Sequence, residues 1–434
     1  MKQILLKELE EYSLEELFPG MELLRITELL ETESRRLKEQ LGLRGEPIRV
    51  HRRNRRLWLK CSGIAGAVEL PGLEIEIMPK FCREDDGWRR NLFQMISIAA
   101  SSRIRLQSVQ HMSDSRLNFY DHLALLFLDE MQQALRKEKI RTYRTSEDHS
   151  RFLRGRLLFG EQLRHMVERP GIVWYEQDEL NCENHFNYLL KWCCGTLASR
   201  VRNQQIRRAL LETEEQFPAF WRGYPIPVEE KLPPQYRYYE RAMDIANRLA
   251  RRSSSSHDRQ GAAGFGYVTA MEVIYEKFIE KLLKSLRAPG MDIRSVPQSS
   301  ALFARSRGEA GSYFTVPDNK VCIDGRPAVL VDAKYKNNFS EDSFYSRGKK
   351  PVNSDVYQLF ASLVAHGCTK GILVSPCESS RPSSKQEWTI DNNGQEYTIY
   401  SLAVSLSDIS TARKLEEVKT VLLEAIQEAA GRVE

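Results

Sequence analysis

An apolar run that ends directly on charged residues is the feature that most constrains the fold of this chain. The run Ala328-Val329-Leu330-Val331 leads into Asp332-Ala333-Lys334, and we interpret it as a β-strand. Side chains of a strand alternate between its two faces, so Asp332 and Lys334 point to the same side and Ala333 points to the other. The sequence therefore predicts a strand whose end presents a carboxylate and an ammonium group together.

A second carboxylate lies upstream in Val316-Pro317-Asp318, and a predicted turn at Asp324-Gly325-Arg326-Pro327 separates it from Asp332. Antiparallel pairing through this turn would place Asp318 close to Asp332. Two neighbouring carboxylates repel each other unless a cation shares them. Magnesium binds through one or two carboxylates together with waters and substrate phosphate. We therefore expect Asp318 and Asp332 to bind Mg²⁺, with Mn²⁺ as an alternative.

Hydrolysis of a phosphodiester is the chemistry that such a group of residues supports. The ion would lower the pKa of a bound water and would neutralise the charge that builds on the phosphodiester. Lys334, beside the ion, would orient that water and add a positive charge near the phosphorus. The competing interpretation is a strand pair whose charges face solvent and form exposed salt bridges.

Two further side chains are candidates for the same site. Glu276 lies on a predicted helix, on a face that is otherwise apolar, and a carboxylate there needs a partner such as a metal or a metal-bound water. Gln358 lies at the start of another predicted helix, from which its amide could reach the site; an ordinary surface amide is the alternative. The predicted metal ligands are thus Asp318, Asp332 and Glu276.

Composition and periodicity divide the chain into three parts. Residues 1–45 carry an apolar residue every three to four positions, which predicts helix, and strand-like pieces follow between Ile48 and Phe81. Residues 88–140 and 180–250 are again helical in pattern, and the polar segment Arg251–Gly261 is predicted to be a linker. We predict the domains 1–90 (an N-terminal helix plus a small β region), 91–255 (a mostly helical, partner-docking region) and 262–434 (the domain that carries the candidate site).

After the linker, strands mix with helices, which predicts a mixed sheet with helices on its faces. The fold class is therefore α/β, a mixed α+β arrangement, with an α+β N-terminal region before the C-terminal domain. The expected order is helix 270–287, strands 292–298, 313–323 and 327–336, helix 353–366, strands 371–375 and 396–404, and helix 412–430.

Composition excludes several classes of protein. The 434 residues are 41% hydrophobic and 28% charged, so the chain can bury sizeable cores. No apolar run approaches the roughly 20 residues of a membrane-spanning helix, and eight scattered cysteines form neither a disulfide framework nor a C-x-x-C metal site. The sequence has no G-x-x-x-x-G-K-[ST] motif for nucleotide phosphates. We expect a cytoplasmic protein, and its net charge of +5 permits a polyanionic partner.

These residues resemble the PD-(D/E)XK nuclease superfamily and, within it, the McrC family of modification-dependent restriction systems. The segments that follow the family's order and spacing are Ile274–Phe278, Val316–Asp318, Leu330–Lys336 and Val356–Leu359. The resemblance extends to the segments Leu73–Phe81, Leu153–Leu157 and Asp178–Asn187. It covers roughly residues 55–410.

The resemblance implies a restriction-endonuclease-like C-terminal domain, with Asp318 and Asp332 as metal ligands, Lys334 as the catalytic lysine and Glu276 as the auxiliary acid. It also implies double-stranded DNA as the substrate and a hexameric AAA+ GTPase of the McrB type as the partner, whose GTP hydrolysis this subunit stimulates. Two alternatives stay open. One is a stand-alone nuclease of the same superfamily in DNA repair or mobile-element processing, and the other is a catalytically inactive subunit that only docks and activates the GTPase.

Several other motifs have both a functional and a structural interpretation. The basic run Arg49–Trp58 could follow DNA phosphates with Trp58 stacked on a base, or it could be a charged edge strand with Trp58 in the core. Arg154 and Arg156 could enter a nucleotide site or pore of a partner, or form surface ion pairs. Core packing is the expectation for Trp174-Tyr175, Tyr236–Tyr239 and Cys193-Cys194.

Overall fold

Strands occur along the whole described chain, including its first residues. The computed structural model describes residues 2–83, 87–100, 117–218, 226–254, 266–289, 292–305, 312–335, 353–377 and 382–431. Residues 255–261 of the predicted linker and Lys336 lie outside these ranges. The strands are β1 (Lys2–Lys7), β2 (Glu11–Ser13), β3 (Ile48–Arg53), β4 (Arg56–Cys61), β5 (Ile64–Leu70), β6 (Leu73–Met78), β7 (Thr142–Ser150), β8 (Arg156–Leu157), β9 (Val173–Asn181), β10 (Gly266–Ala270), β11 (Ile293–Pro297), β12 (Ala301–Arg305), β13 (Ser312–Thr315), β14 (Asn319–Ile323), β15 (Arg326–Ala333), β16 (Lys370–Cys377), β17 (Ser384–Asn392) and β18 (Gln395–Ser405).

The helices occur in groups between runs of strands, and a short 3-10 helix spans Pro234–Tyr239. None of the helices in the described ranges combines the length and the apolar character that crossing a membrane requires. The α-helices are α1 (Leu14–Leu17), α2 (Leu23–Leu41), α3 (Trp88–Ala100), α4 (Phe119–Leu135), α5 (Phe159–His165), α6 (His185–Ala198), α7 (Gln204–Glu215), α8 (Glu240–Ser254), α9 (Met271–Ser285), α10 (Asn353–His366) and α11 (Ala412–Ala429).

The chain divides into two compact units. Unit 1 consists of Met1–His122 and Gly266–Glu434, and unit 2 consists of Leu123–Phe265. Strand β10 explains why unit 1 is discontinuous, because it pairs antiparallel with β5 and so returns the chain to the N-terminal sheet. The predicted range 1–90 therefore shares one unit with residues 266–434 of the predicted C-terminal range.

The N-terminal sheet of unit 1 corrects the prediction of helix for residues 1–45. Its strand order is β1-β6-β5-β10, and β1 runs parallel to β6. Ile4, Leu6 and Glu8 are buried while the residues between them are more exposed, which is the alternation of a strand. Within 1–45 the helical pattern is confirmed from α1 and α2 onward, where Ile26 and Leu30 pack into the same core as Leu6.

The six-stranded sheet of unit 1 confirms the predicted mixed sheet flanked by helices. Its order is β11-β14-β15-β16-β18-β17. Strands β15, β16 and β18 are parallel neighbours, whereas the other pairs are antiparallel. Helices α9, α10 and α11 all contact β15. On the α10 side, Leu330 and Leu373 of the sheet pack with Leu359 and Leu363 of the helix.

Unit 2 combines a three-stranded sheet, ordered β7-β9-β8, with helices α6, α7 and α8. Helix α6 contacts both α7 and α8. The sequence did not predict β7 and β9, because most of their residues are polar and Tyr175 alone among them is buried, and a strand of this kind shows no clear hydrophobic alternation. The helical prediction for 180–250 is confirmed in α6, α7 and α8, and residues 219–225 of that range lie outside the described residues.

Candidate active site

A tight hairpin sets the geometry of the site. Strands β14 and β15 are joined through Asp324 and Gly325, whose φ angles are 51° and 78°. Two successive positive φ angles are the backbone of a two-residue hairpin turn, and aspartate followed by glycine is a preferred sequence for it. The predicted turn is therefore confirmed, and it folds the segment that follows Asp318 back along the segment that precedes Asp332.

The pairing register brings the two aspartates together. Asn319 is opposite Val331, so Asp318 and Asp332 occupy the next positions along the pair. The main-chain N–H of Ala333 donates to Asp318 Oδ2 at 2.7 Å. The prediction of one continuous strand over residues 313–323 is wrong in one respect. The structure has two strands there, β13 and β14, and the segment between them contains Pro317, which has no N–H to donate to a ladder.

Lys334 completes this group. Its Nζ lies 2.7 Å from Asp332 Oδ2, and the two side chains are only 14% and 4% exposed. The main-chain N–H of Lys334 donates to the carbonyl of Val374 on β16 at 2.7 Å. The two charged side chains thus lie on the same side of β15, as the alternation predicts, and their burial disfavours the alternative of solvent-facing strand-end charges.

Burial and like charges together control the protonation of Asp318. Burial, together with the negative charges of Asp332 and Glu276, raises the pKa of Asp318 from its ordinary value of 3.8 to about 8. The hydrogen bond from Ala333 favours the charged form and opposes this shift. A carboxyl group with this pKa keeps its proton at neutral pH, because a second negative charge in the same place is unfavourable. A cation bound between the two side chains would remove that penalty.

The ammonium group of Lys334 stays charged in this environment. Burial by itself would lower the pKa of Lys334, but the negative charges of Asp332, Asp318 and Asp355 outweigh burial and raise the pKa above its ordinary value. Lys334 therefore provides a permanent positive charge next to the two aspartates. That charge is available to a phosphate group that approaches the end of β15.

Glu276 lies half-buried on α9 at the border of the apolar face, since Val273 is 45% exposed. Burial raises the pKa of Glu276, and a hydrogen bond from the Gln298 side chain and the charge of Lys334 oppose the shift. The charge of Asp332 adds to the shift, which places the two carboxylates within electrostatic reach of each other. The main-chain N–H of Gln298 also donates to the carbonyl of Asp318 at 2.9 Å. Gln298 therefore connects the helix acid with the hairpin.

The carboxylate oxygens of Asp318 and Asp332 suit a hard divalent ion that takes few of its ligands from the protein. Both candidate ligands in the hairpin are carboxylates, the ligand type that magnesium prefers. In the part of the chain that the structure describes, no group of three or more histidine, cysteine, aspartate or glutamate side chains is gathered closely enough to hold a metal. A site with Asp318 and Asp332 as its two protein ligands is consistent with magnesium, which commonly keeps several waters. The role of Glu276 as a ligand stays a prediction.

Helix α10 contributes two side chains next to Lys334. Gln358 Oε1 accepts a hydrogen bond from Lys334 Nζ at 3.4 Å, so the predicted amide does lie beside the site. Asp355, one turn earlier, is buried, and its charge acts on Lys334. Asp355 and Gln298 are site residues that the sequence did not predict. An acid in the first turn of a helix is the signal for Asp355, but that position is common for purely structural reasons.

The structure also places the other motifs. Strand β3 is the edge of the sheet β2-β4-β3, its residues Arg52 and Arg53 are exposed, and the Arg53 guanidinium lies 4.9 Å from the Trp58 ring centroid. These contacts favour a charged edge strand, although Trp58 is only half-buried. Arg154 and Arg156 are exposed.

Core packing is the structural role of most residues in the remaining motifs. Tyr175 is fully buried, and Trp174 is stacked between the rings of His149 and His165. The buried members of the tyrosine and cysteine motifs are Tyr236, Tyr239, Cys193 and Cys194. Burial raises the pKa of both thiols, which makes them poor nucleophiles.

Comparisons with solved structures find the same fold in an archaeal assembly. One similar chain belongs to a Thermococcus gammatolerans structure described as a refined half-complex from a tetradecameric assembly of McrB AAA+ hexamers with bound McrC. It matches with a TM-score of 0.68 and 16% identity over 98% of this chain and 100% of that chain. A chain of the Thermococcus gammatolerans McrBC complex matches with a TM-score of 0.50 and 18% identity over 65% of this chain and 88% of that chain.

Comparison of the sequence with family models gives more specific information than the similarity of fold does. No curated protein matches the sequence. The model of the family described as "McrBC 5-methylcytosine restriction system component" matches residues 59–376. The matched range includes Asp318, Asp332 and Lys334, together with Glu276 and Gln358. This chain belongs to the McrBC 5-methylcytosine restriction system component family.

Proposed function

We propose that this chain is the DNA endonuclease subunit of a modification-dependent, methylcytosine-type restriction complex that acts in defence against foreign DNA. The observation that carries the proposal is the group formed by Asp318, Asp332 and Lys334 at the end of β15. It combines two carboxylates in one place with an ammonium group 2.7 Å from one of them. Membership of the McrBC family supports the proposal.

The chemistry proposed for the site is hydrolysis of a DNA phosphodiester. Asp318 and Asp332 would hold Mg²⁺, or Mn²⁺ in its place, with Glu276 as the auxiliary acid. Such an ion supplies neutralising charge and a more acidic bound water. Asp318 must release its proton before it can act as a ligand, since the shared pair of carboxylates keeps that proton at neutral pH.

Lys334 would stabilise the negative charge that develops on the phosphate. Its ammonium group is held by Asp332 and by Gln358, at 2.7 Å and 3.4 Å, so it needs little reorganisation when substrate binds. Electrostatic groups that are fixed in advance contribute most to catalysis, because no energy is spent on orienting them during the reaction. Gln358 is thus proposed to orient Lys334 rather than to contact the metal.

Docking on an AAA+ GTPase hexamer is the second part of the proposal. The Thermococcus gammatolerans relatives in fold come from assemblies with McrB AAA+ hexamers. In this chain, β7, β8, α5 and the residues next to them in unit 2 expose many large apolar side chains. Large exposed apolar patches mark protein interaction sites, and the exposed Arg154 and Arg156 lie among these residues. Side chains of this patch include Tyr143, Phe152, Leu153, Phe159, Leu163 and Val167.

A cleavage assay tests the proposal. The purified chain is incubated with methylcytosine-containing plasmid and Mg²⁺ or Mn²⁺, with and without GTP and the AAA+ protein of the neighbouring gene. Asp332→Ala and Lys334→Met are compared with Lys60→Met, which changes a lysine on β4. We expect cleavage that requires partner and GTP, is lost in the first two variants and is retained in the third, while all variants still stimulate GTP hydrolysis.

The other outcomes separate the alternatives. Stimulated GTP hydrolysis without any cleavage by the wild-type chain would identify a docking and GTPase-activating subunit. Cleavage that needs neither partner nor GTP would identify a stand-alone nuclease. Cleavage that persists in Asp332→Ala and Lys334→Met would place the active site elsewhere and overturn the proposal.

A further inference from the structure

A buried polar network lies directly behind the candidate active site. Its centre is Tyr335, which follows Lys334 in the chain and is buried. The Tyr335 carbonyl accepts a hydrogen bond from Lys80 Nζ at 2.8 Å, and the Tyr335 hydroxyl donates to Glu8 Oε2 at 2.6 Å. Lys80 Nζ also lies 4.0 Å from the centroid of the Tyr335 ring. Two residues of the N-terminal region thus hold both ends of the residue after the active-site lysine.

Glu8 and Lys80 are themselves held in one position. Glu8 Oε1 accepts from the main-chain N–H of Gly63 at 2.7 Å, and Glu8 Oε2 accepts from the main-chain N–H of Lys80 at 3.3 Å. Leu9, next to Glu8, has a φ of 72°, a conformation that is unfavourable for a residue with a Cβ atom. Its N–H donates to the carbonyl of Cys61 at 2.8 Å. The surrounding structure therefore fixes the backbone of Leu9, and with it the position of the neighbouring Glu8, in a conformation that Leu9 would not favour by itself.

The charges of Glu8 and Lys80 are costly to bury. Glu8 is 2% exposed and Lys80 is 9% exposed, so both ions lose most of their hydration. Burial raises the pKa of Glu8 and lowers the pKa of Lys80 to about 8, and each shift is opposed by the charge of the other residue. Two opposite charges buried near each other are weak support for stability, because well-packed apolar residues often stabilise a fold as well or better. The ammonium group of Lys80 instead gives the Tyr335 main chain a defined position through its hydrogen bond to the Tyr335 carbonyl.

Three successive residues at the end of β15 are each tied to a different element. The N–H of Ala333 donates to Asp318, the N–H of Lys334 donates to Val374 on β16, and the carbonyl of Tyr335 accepts from Lys80. We propose that Lys80, held by Glu8, is a positioning residue for Lys334. Lys80 fixes the chain on the far side of Lys334, so that the ammonium group stays over Asp332. This inference rests on the proposed nuclease function for its catalytic readout, but not for its structural one.

The test replaces Lys80 by methionine, which keeps a long unbranched side chain and removes the ammonium group. Three properties are measured on the full chain: the melting temperature, hydrogen exchange of the amides of Ala333 and Lys334, and the kinetics of plasmid cleavage with partner, GTP and Mg²⁺. Lys60→Met is the matched control. We expect Lys80→Met to increase exchange at both amides about tenfold and to lower kcat about tenfold or more, with KM for DNA and GTPase stimulation unchanged.

A second variant covers the case in which Lys80→Met does not fold. Tyr335→Phe removes the hydroxyl that donates to Glu8 and keeps the carbonyl that accepts from Lys80, so we expect a smaller increase of exchange at Ala333 and Lys334 and a smaller loss of kcat. A merely structural role would lower the melting temperature without a selective change at these two amides.

The inference would be overturned if the amides of Ala333 and Lys334 exchanged as slowly in the folded Lys80→Met variant as in the wild type. If only Tyr335→Phe folds, the same comparison is made with that variant. A change in KM without a change in kcat would also overturn the inference. If the wild-type chain does not cleave DNA, the nuclease proposal fails, and hydrogen exchange alone still decides whether Lys80 positions the end of β15.

Discussion

Replacing Asp318 by asparagine should change how the free energy of unfolding depends on pH. Burial and the neighbouring acids raise the pKa of Asp318 from 3.8 to about 8 in the folded chain. The folded state therefore binds this proton more tightly than the unfolded state. In the wild-type chain without divalent ions, the contribution of Asp318 to stability should fall as the pH rises from about 4 to about 8 and should stay constant above that.

The size of the effect follows from the pKa values. One pKa unit corresponds to about 1.4 kcal/mol, so the wild-type chain should lose up to about 4 kcal/mol between pH 5 and pH 8 that the Asp318→Asn variant does not lose. Water screens a carboxyl group that is not fully buried, so we expect about half of this limit, about 2 kcal/mol. Asparagine keeps an oxygen that can accept from the N–H of Ala333, so the hairpin itself should be retained.

Urea unfolding at pH 5, 6, 7 and 8 in the presence of a chelator measures this difference. Asp391→Asn, which changes an exposed aspartate on β17, is the matched control and should follow the wild-type chain. If the free energies of unfolding of the wild type and of Asp318→Asn differ by the same amount at pH 5 and at pH 8, the raised pKa of Asp318 is refuted.

Three further predictions concern the turn, the helix acid and the partner surface. Gly325→Ala should destabilise unit 1 by about 1 kcal/mol, because the φ of 78° suits glycine. Thermal unfolding should therefore show a lower melting temperature, and an unchanged melting temperature would contradict the assignment of the turn. Gln298→Ala removes a hydrogen bond that favours the charged form of Glu276, so NMR titration should show a higher pKa for Glu276. Phe152→Asp, in the exposed apolar patch of unit 2, should abolish stimulation of the AAA+ partner while the melting temperature stays that of the wild type.

The parts of the site that sequence could predict are those fixed by local rules. The alternation of a strand placed Asp332 and Lys334 on one side, and a short turn of known residue preference brought Asp318 back beside Asp332. Gln358 was predicted from its place near the start of a helix, and its amide does lie beside Lys334. In each case a few neighbouring residues determine the geometry.

The parts that sequence could not predict depend on contacts between distant segments. Strand β1 was predicted as helix because apolar residues recur every three to four positions over residues 1–45, whereas its strand conformation depends on pairing with β6. Tyr335 is held by Glu8 and Lys80, which are far away in the sequence. Such buried polar pairs leave no pattern in a single sequence, because each partner alone looks like an ordinary charged residue.

The most direct test of the central claim is a crystal structure of the chain soaked with Mn²⁺, with anomalous scattering used to locate the ion. We predict one strong anomalous peak at about 2.0–2.3 Å from carboxylate oxygens of both Asp318 and Asp332, which disappears in the Asp318→Asn variant. A structure with no peak between these two side chains, or with its only strong peak elsewhere, would contradict the account.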